Sequence, residues 1–175
     1  TYVTVTPRQQ AEAGPFVSFT QDMARRGMTA SSRMLSAVTV GANTSLAHIM
    51  EVGIGTPLLM IERLRLADNA PVALQTAYLP SARFADLLIH DLANESLYAI
   101  LREHYHVMFD SSKSAVEATL ASDYEARWLA VTPPAALLIT EQITKDEQGR
   151  IFEYVRSAYR ADLYKMSLQQ ESITA

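Results

Sequence analysis

Between Leu58 and Leu79 the chain sets apolar-rich runs on both sides of an Asp68-Asn69-Ala70-Pro71 break. That pattern predicts two strands joined by a turn, Leu58 to Ala67 and Val72 to Leu79. A second pair follows about 80 residues later: Leu137 to Thr144, a polar turn from Lys145 to Arg150, then Ile151 to Arg160. Each predicted hairpin is preceded by a strand and a short helix. Before the first lie Ser32 to Val40 and Ser45 to Val52, where Leu46, Ile49 and Met50 recur at helical spacing. Before the second lie Ser111 to Leu120 and Asp123 to Ala130, where Tyr124 and Trp128 stand one turn apart. Both hairpins start after a proline (Pro57, Pro134) and end in a small residue, Ala and Tyr: Thr76-Ala77-Tyr78 and Ser157-Ala158-Tyr159. Two copies of a strand–helix–hairpin unit predict one antiparallel sheet with helices packed on it, an α+β fold. Concave ground for a small ligand then lies between the halves.

The remaining segments frame this repeat. Ser18 with Gln21 fits a capping box, so a helix starts there and Gly27 ends it, with Phe19 and Met23 on its buried face. Two more helices are predicted between the units. Ser81 to Ile89 would bury Phe84, Leu87 and Leu88, and Glu95 to Tyr105 would bury Leu97, Ile100 and Leu101. Tyr2 to Val5 reads as strand, followed by a loop with Pro7, Gly14 and Pro15, and Tyr164 to Leu168 as a last edge strand.

The 175 residues fit one compact domain or two tightly joined halves, and 49% of them are apolar, enough for a sizeable core. With no cysteine, disulfides and thiol catalysis are excluded, and the composition suits a cytoplasmic protein. No apolar run approaches the ~20 residues that span a bilayer. The net charge is −4 and no Lys/Arg run occurs, so this segment is not expected to grip nucleic acid itself. If it belongs to a DNA-binding protein, the basic part lies elsewhere; Thr1-Tyr2-Val3 reads as a cut start rather than a native one.

Candidate chemistry concentrates in a few places. Arg63 and Arg65 sit two apart in a strand, on one face and about 7 Å from each other. Either an anion lies between their guanidiniums, or both are solvated and paired with Glu62 or Asp68. Ser18, Phe19 and Thr20 open a helix, whose free N–H groups form an anion cradle or simply a cap. Glu153 and Tyr159 share a strand face with Val155 and Ser157. They either read ligand hydroxyls or divide into a surface acid and a core ring. Gln75 and Tyr78 have opposite parity, so one of them faces a ligand, and the register of that hairpin decides which. Ser112 and Ser114 share a face at a strand start, as phosphate ligands or as a polar edge. The four histidines, His48, His90, His104 and His106, lack the spacing of a helical zinc pair, so no metal site is expected. No Gly-x-Ser-x-Gly, P-loop or dinucleotide-binding glycine motif occurs. Donors for an anion without a clear base or nucleophile favour binding over catalysis, with no cofactor.

In order and spacing these residues resemble a known family. The pattern runs Ser18-Phe19-Thr20-x-x-Met23-x-x-Arg26-Gly27, then Pro57-Leu58-Leu59-x-Ile61-x-Arg63-x-Arg65-x-x-Asp68, then Pro71-Val72-Ala73 and Tyr78-Leu79-Pro80. It continues with Ser96-Leu97-Tyr98 and Glu153-Tyr154-x-Arg156-Ser157-x-Tyr159-Arg160-x-Asp162. It is similar to the UTRA domain, the effector-binding domain of the HutC branch of GntR-type transcription regulators, from about Phe16 to Leu168. The resemblance implies a chorismate-lyase-like antiparallel sheet in two related halves. It implies a homodimer, and DNA contact through an N-terminal winged helix-turn-helix outside this chain. Residues 1–15 then correspond to the end of the wing and a linker, 16–170 to the effector domain and 171–175 to a tail. In sugar-phosphate-sensing members the phosphate positions carry to Ser18, Phe19, Thr20, Arg63 and Arg65, more weakly to Ser112 and Ser114. The sugar side carries to Gln75, Tyr78, Glu153 and Tyr159. Gln75 stands where such members often have Glu, which weakens the case for a cationic amine and leaves a small anionic metabolite, a sugar phosphate or organic acid. Two rival readings remain: a chorismate-lyase-like enzyme on a small carboxylated substrate, and a dimerisation module with a vestigial pocket.

Overall fold

The computed structural model describes residues 9–12 and 17–167. The predicted wing strand at Tyr2 to Val5 and the tail 171–175 lie outside them, as does most of the segment 1–15. In chain order the elements are β1 (Gln9–Glu12), α1 (Phe19–Arg25), β2 (Ala30–Gly41), α2 (Thr44–Met50), β3 (Pro57–Ala67) and β4 (Ala70–Pro80). There follow α3 (Leu97–Glu103), β5 (Phe109–Leu120), α4 (Asp123–Leu129), β6 (Ala136–Asp146), β7 (Ile151–Arg160) and β8 (Tyr164–Ser167).

Six strands form one antiparallel sheet in the order β2-β3-β4-β7-β6-β5, and each half of that order is one strand–helix–hairpin unit. The duplication extends to small features. Helices α2 and α4 are capped by Asn43 and Ser122, whose side chains accept from Leu46 and Glu125 N–H. Both end in a left-handed residue that is not glycine, Glu51 (φ 55°) and Ala130 (φ 53°). The sheet is buried differently on its two faces. On one, Leu64, Leu74, Ala158 and Ile139 stand in register across four strands and pack under Leu129 of α4. Beside them Met50 and Ala47 of α2 cover Leu58, Ile151 and Tyr154.

The other face carries two clusters. Phe84, Leu87, Leu97, Ile100 and Leu101 pack on Leu59, Ile61 and Phe152 at one end. Phe19 and Met23 of α1 pack on Ala73, Tyr159 and Tyr164 at the other. Each fully buried Phe or Leu contributes about 1.5–3 kcal/mol by leaving water, so both clusters anchor their segments firmly.

Two expectations need correction. Ser81 to Ile89 is not an α-helix but a run of tight turns ending in a 3-10 turn, Leu87–Ile89. Its N–H groups reach back three residues, Arg83 to Pro80, Phe84 to Ser81 and Leu87 to Phe84. That spacing buries Phe84 and Leu87 completely and leaves Leu88 exposed. Gln9 to Glu12, read as loop, forms β1 by parallel pairing with β8. The last edge strand expected from Tyr164 is present as β8, which with β1 forms a separate two-stranded ribbon.

Candidate functional site

Between the two clusters the sheet face is not filled. Register lays Arg63 of β3 beside Gln75 of β4, Gln75 beside Ser157 of β7, and Ser157 beside Thr140 of β6. The next row in the direction of α1 holds Arg65, Ala73, Tyr159 and Leu138. A cavity of about 90 Å³ opens over these rows, roofed by Val17, Ser18 and Phe19 from one side and Ser96, Leu97 and Tyr98 from the other. Burial of a polar row on this scale requires partners, and most are present. Arg63 Nη2 donates to Gln75 Oε1 at 2.9 Å and Nη1 to the Leu92 carbonyl at 3.2 Å. Gln75 Nε2 donates to Ser157 Oγ at 3.2 Å. Tyr98 OH donates to Glu153 Oε2 at 2.8 Å, and Gln142 Nε2 donates to Tyr98 OH at 3.1 Å.

Arg65 is the exception. It is 5% exposed, its guanidinium stacks 4.4 Å from the Phe19 ring centre, and Nη1 donates to Ser32 Oγ at 2.8 Å. Among the described residues no carboxylate pairs with it, and its Nε is buried without a partner, as is Arg63 Nε. Burial lowers the pKa of both guanidiniums, that of Arg63 to about 10, with Glu153 acting in opposition. Arg65 is lowered further, by burial first and by the neighbouring Arg63 charge second. Burial lifts the Glu153 carboxyl to about 7, although Tyr98 and Arg63 pull it down. Tyr159 is raised by burial as well. The cavity wall therefore holds two guanidiniums against one carboxyl of elevated pKa, an electropositive enclosure suited to a small anion.

Of the sequence candidates, Ser18, Phe19, Arg63, Arg65, Gln75, Glu153 and Tyr159 meet around this cavity. The register of the first hairpin turns Gln75 inward and Tyr78 to the opposite face, where its ring stacks on Tyr154 at 6.0 Å. Ser18 spends its hydroxyl on the Gln21 N–H of its capping box. Thr20 is exposed and stands outside the lining. Ser112 and Ser114 are exposed on β5, away from the cavity. Ser112 instead borders an open groove of about 1090 Å³ beside α2 on the other face of the sheet, among Ile49, Val52 and Ile143.

Sequence reasoning passed over Tyr98, Thr140, Gln142 and Ser96 as lining residues. A signal existed for two of them: Thr140, Gln142 and Thr144 put polar side chains at every second position of an otherwise apolar strand. Ser96 and Tyr98 stood in the family pattern but without a role, because the Tyr98 hydroxyl reaches Glu153 across 55 residues of chain. Among the described residues no group of three or more His, Asp or Glu is placed to hold a metal ion, and no helix is long and apolar enough to cross a membrane.

Comparison with known proteins agrees with this architecture. The UTRA domain family matches residues 25–165. The chain is 30% identical to the HTH-type transcriptional repressor NagR of Bacillus subtilis over 94% of its own length and 67% of that protein. It is 26% identical to the HTH-type transcriptional repressor PhnF of Mycolicibacterium smegmatis over 83% of its length and 59% of that protein. The chain thus spans about three fifths to two thirds of these relatives. Among solved structures, the effector domain of PhnF from Mycobacterium smegmatis superposes with a TM-score of 0.87 at 24% identity, covering 93% of this chain and 99% of that one. The product SA0254 of Staphylococcus aureus shares the fold with a TM-score of 0.82 at 14% identity. The chain belongs to the UTRA domain family, the effector-binding domains of GntR-type transcription regulators.

Proposed function

We propose that this domain senses a small anionic metabolite, a sugar phosphate or an organic acid, and transmits its occupancy to DNA-binding heads carried by the whole regulator. Residues 16–170 form the sensor on this reading, 1–15 join it to a winged helix-turn-helix, and 171–175 are a tail. The regulator works in the cytoplasm as a homodimer. The observation that carries the proposal is Arg65, a buried guanidinium with no carboxylate among the described residues and an unpartnered Nε. An ion so placed costs several kcal/mol, and a bound anion offsets that cost. Arg63 joins the clamp on the anion. Glu153, Tyr159 and Gln75 then read hydroxyls, and the start of α1 closes the other side.

For signalling, the effector must bind two states of the regulator unequally. A coupling of about 1–3 kcal/mol lowers operator affinity about 5- to 150-fold. The relatives named above are transcription repressors, which favours regulation over catalysis. Calorimetry with a panel of sugar phosphates and organic acids tests the reading, with the double substitution Arg63→Ala and Arg65→Ala as control. Binding by the native chain and its loss in the double variant are expected. An affinity unchanged in that variant removes the anion clamp.

A further inference from the structure

Four carboxyl groups are buried among the described residues: Asp22, Glu125, Asp146 and Glu153. Three of them are ion-paired, Asp22 with Arg26, Glu125 with Arg156, and Asp146 with Arg83 and Arg150. Glu153 is not. It is 2% exposed, stands in the cavity wall, and accepts its hydrogen bond from a neutral phenol, Tyr98 OH at 2.8 Å. The cation whose charge acts on it, Arg63, directs its two Nη atoms elsewhere, to Gln75 and to the Leu92 carbonyl. Arg65 is the other charge in the wall. The remaining surroundings are uncharged. On β6, Thr144 stands beside Glu153 in register, with Gln142 next along the same face. On β4 the cavity residue is Gln75, and α1 brings Phe19, preceded by its cap Ser18. The strand's own face continues through Val155 and Ser157 to Tyr159. Burial raises both Tyr98 and Tyr159 above the ordinary phenol range, so both stay neutral. Behind Tyr98, Arg102 of α3 is exposed and lies over the Phe109 ring at 4.4 Å.

Counting charge in this enclosure has a consequence for binding. With every group ionised, the wall carries two positive charges and one negative. An anion of two charges matches the guanidiniums by itself and draws Arg63 toward it. The Glu153 carboxylate is then a surplus negative charge, out of water, sharing about 90 Å³ with another. A buried charge without a partner is so costly that the group gives up its charge instead, which a carboxylate does by taking a proton. We propose that this cavity binds its anion together with a proton, taken from solvent onto Glu153. The proton sits on Oε1, since Oε2 already accepts from Tyr98. The proposal rests on the anion reading above and adds to it a dependence on pH. Without ligand the carboxyl titrates at about 7. Below about pH 6 the proton is already in place, and affinity does not vary. Above about pH 7 binding must draw the proton from solution, so affinity falls as pH rises.

Sulfate is the probe, because it keeps both charges at neutral pH and any proton exchanged then belongs to the protein. Titration calorimetry is run in imidazole and in Tris, two cationic buffers of different ionisation heat, and the difference between them counts protons. At about pH 8 an uptake close to one proton per sulfate is expected, and at about pH 6 close to none. The dissociation constant rises about tenfold between those two values. Glu153→Gln abolishes the uptake and makes the affinity independent of pH. Tyr98→Phe is a second variant that leaves the carboxyl in place. It removes the hydrogen bond that favours the charged form, so the fall in affinity moves to higher pH. Sulfate bound at pH 8 without proton uptake overturns the coupling and leaves the anion clamp standing. An uptake unchanged in Glu153→Gln overturns the assignment to Glu153. Failure to hold sulfate or any acid of the panel overturns the clamp, and the coupling with it.

Discussion

Replacing Arg65 with methionine should make the protein more stable and abolish its capacity to hold an anion. Arg65 is 5% exposed and its Nε has no partner. Taking such an ion out of water costs several kcal/mol even after relaxation. Against that stand one hydrogen bond to Ser32 and the stacking on Phe19, together worth about 1–3 kcal/mol. Methionine keeps an unbranched stem of similar reach, packs its sulfur against the Phe19 ring and leaves Ser32, which is half-buried, free to bond water. The net change is a gain of about 1–3 kcal/mol. In a domain of this size each kcal/mol moves the melting temperature by about 2–4 °C, so a rise of about 3–10 °C is expected by calorimetry in a buffer free of phosphate and sulfate. Ligand raises the melting temperature of the native chain by mass action and leaves the variant unmoved. Arg33→Met is the control, because Arg33 is exposed and lies over Trp128 at 5.2 Å, so its loss is neutral or slightly destabilising. A lower melting temperature for Arg65→Met would refute the view that this cation is held at a cost for the sake of a ligand.

Two further outcomes follow from the same geometry. The folded Glu153 carboxyl binds its proton more tightly than the unfolded chain does, so its contribution is fullest below about pH 4.5 and is lost as pH rises to about 7. That slope amounts to about 3 kcal/mol; urea melts at pH 5 and pH 7.5 should show it in the native chain and find it flattened in Glu153→Gln. Asp146 is 1% exposed and accepts from Arg83 at 2.7 Å, Arg150 Nε at 3.0 Å and the backbone N–H of Gln148 and Arg150. Asp146→Asn therefore costs about 2–3 kcal/mol, read as a lower urea midpoint, and an unchanged midpoint would mean that this knot does not hold the 81–90 turns to the sheet.

Much of the fold was legible because its two halves repeat. A duplicated order of strand, helix and hairpin survives thin sequence identity, since each copy needs the same caps, turns and apolar faces. Asn43 and Ser122 mark it, as do Pro57 and Pro134. The run Ser81 to Ile89 was misread because residues three apart satisfy a 3-10 turn as well as an α-helix, and tertiary burial of Phe84 and Leu87 chose between them. Strand β1 left no local trace, because its strand character comes from pairing with β8 more than 150 residues away. In the cavity, Arg63, Arg65 and Glu153 were readable from parity along single strands. Gln75 against Tyr78 was not, since only the register between strands decides which side chain turns inward. Tyr98 lay beyond reach for the same reason: its role exists only once α3 is set down on β7.

The duplication also explains why the cavity has a direction. Arg63 and Arg65 are the seventh and ninth residues of β3, and the seventh and ninth of β6 are Gln142 and Thr144. The two pairs occupy matching places in their units, and Arg63, Arg65 and Gln142 line the same hollow. Had both copies kept arginine, four guanidiniums would crowd one small enclosure, and their mutual repulsion would add to a desolvation cost already several kcal/mol per ion. With neutral side chains in the second copy, Gln142 is free to donate to Tyr98, which in turn holds Glu153. One end of the hollow is thus cationic and lies by α1, while the other is a carboxyl and a phenol lying by α3. A ligand spanning the two meets opposite chemistry at its ends, so charge alone sets which way round it enters. That asymmetry arises within a symmetric sheet because the matching places carry arginines in one unit and neutral side chains in the other.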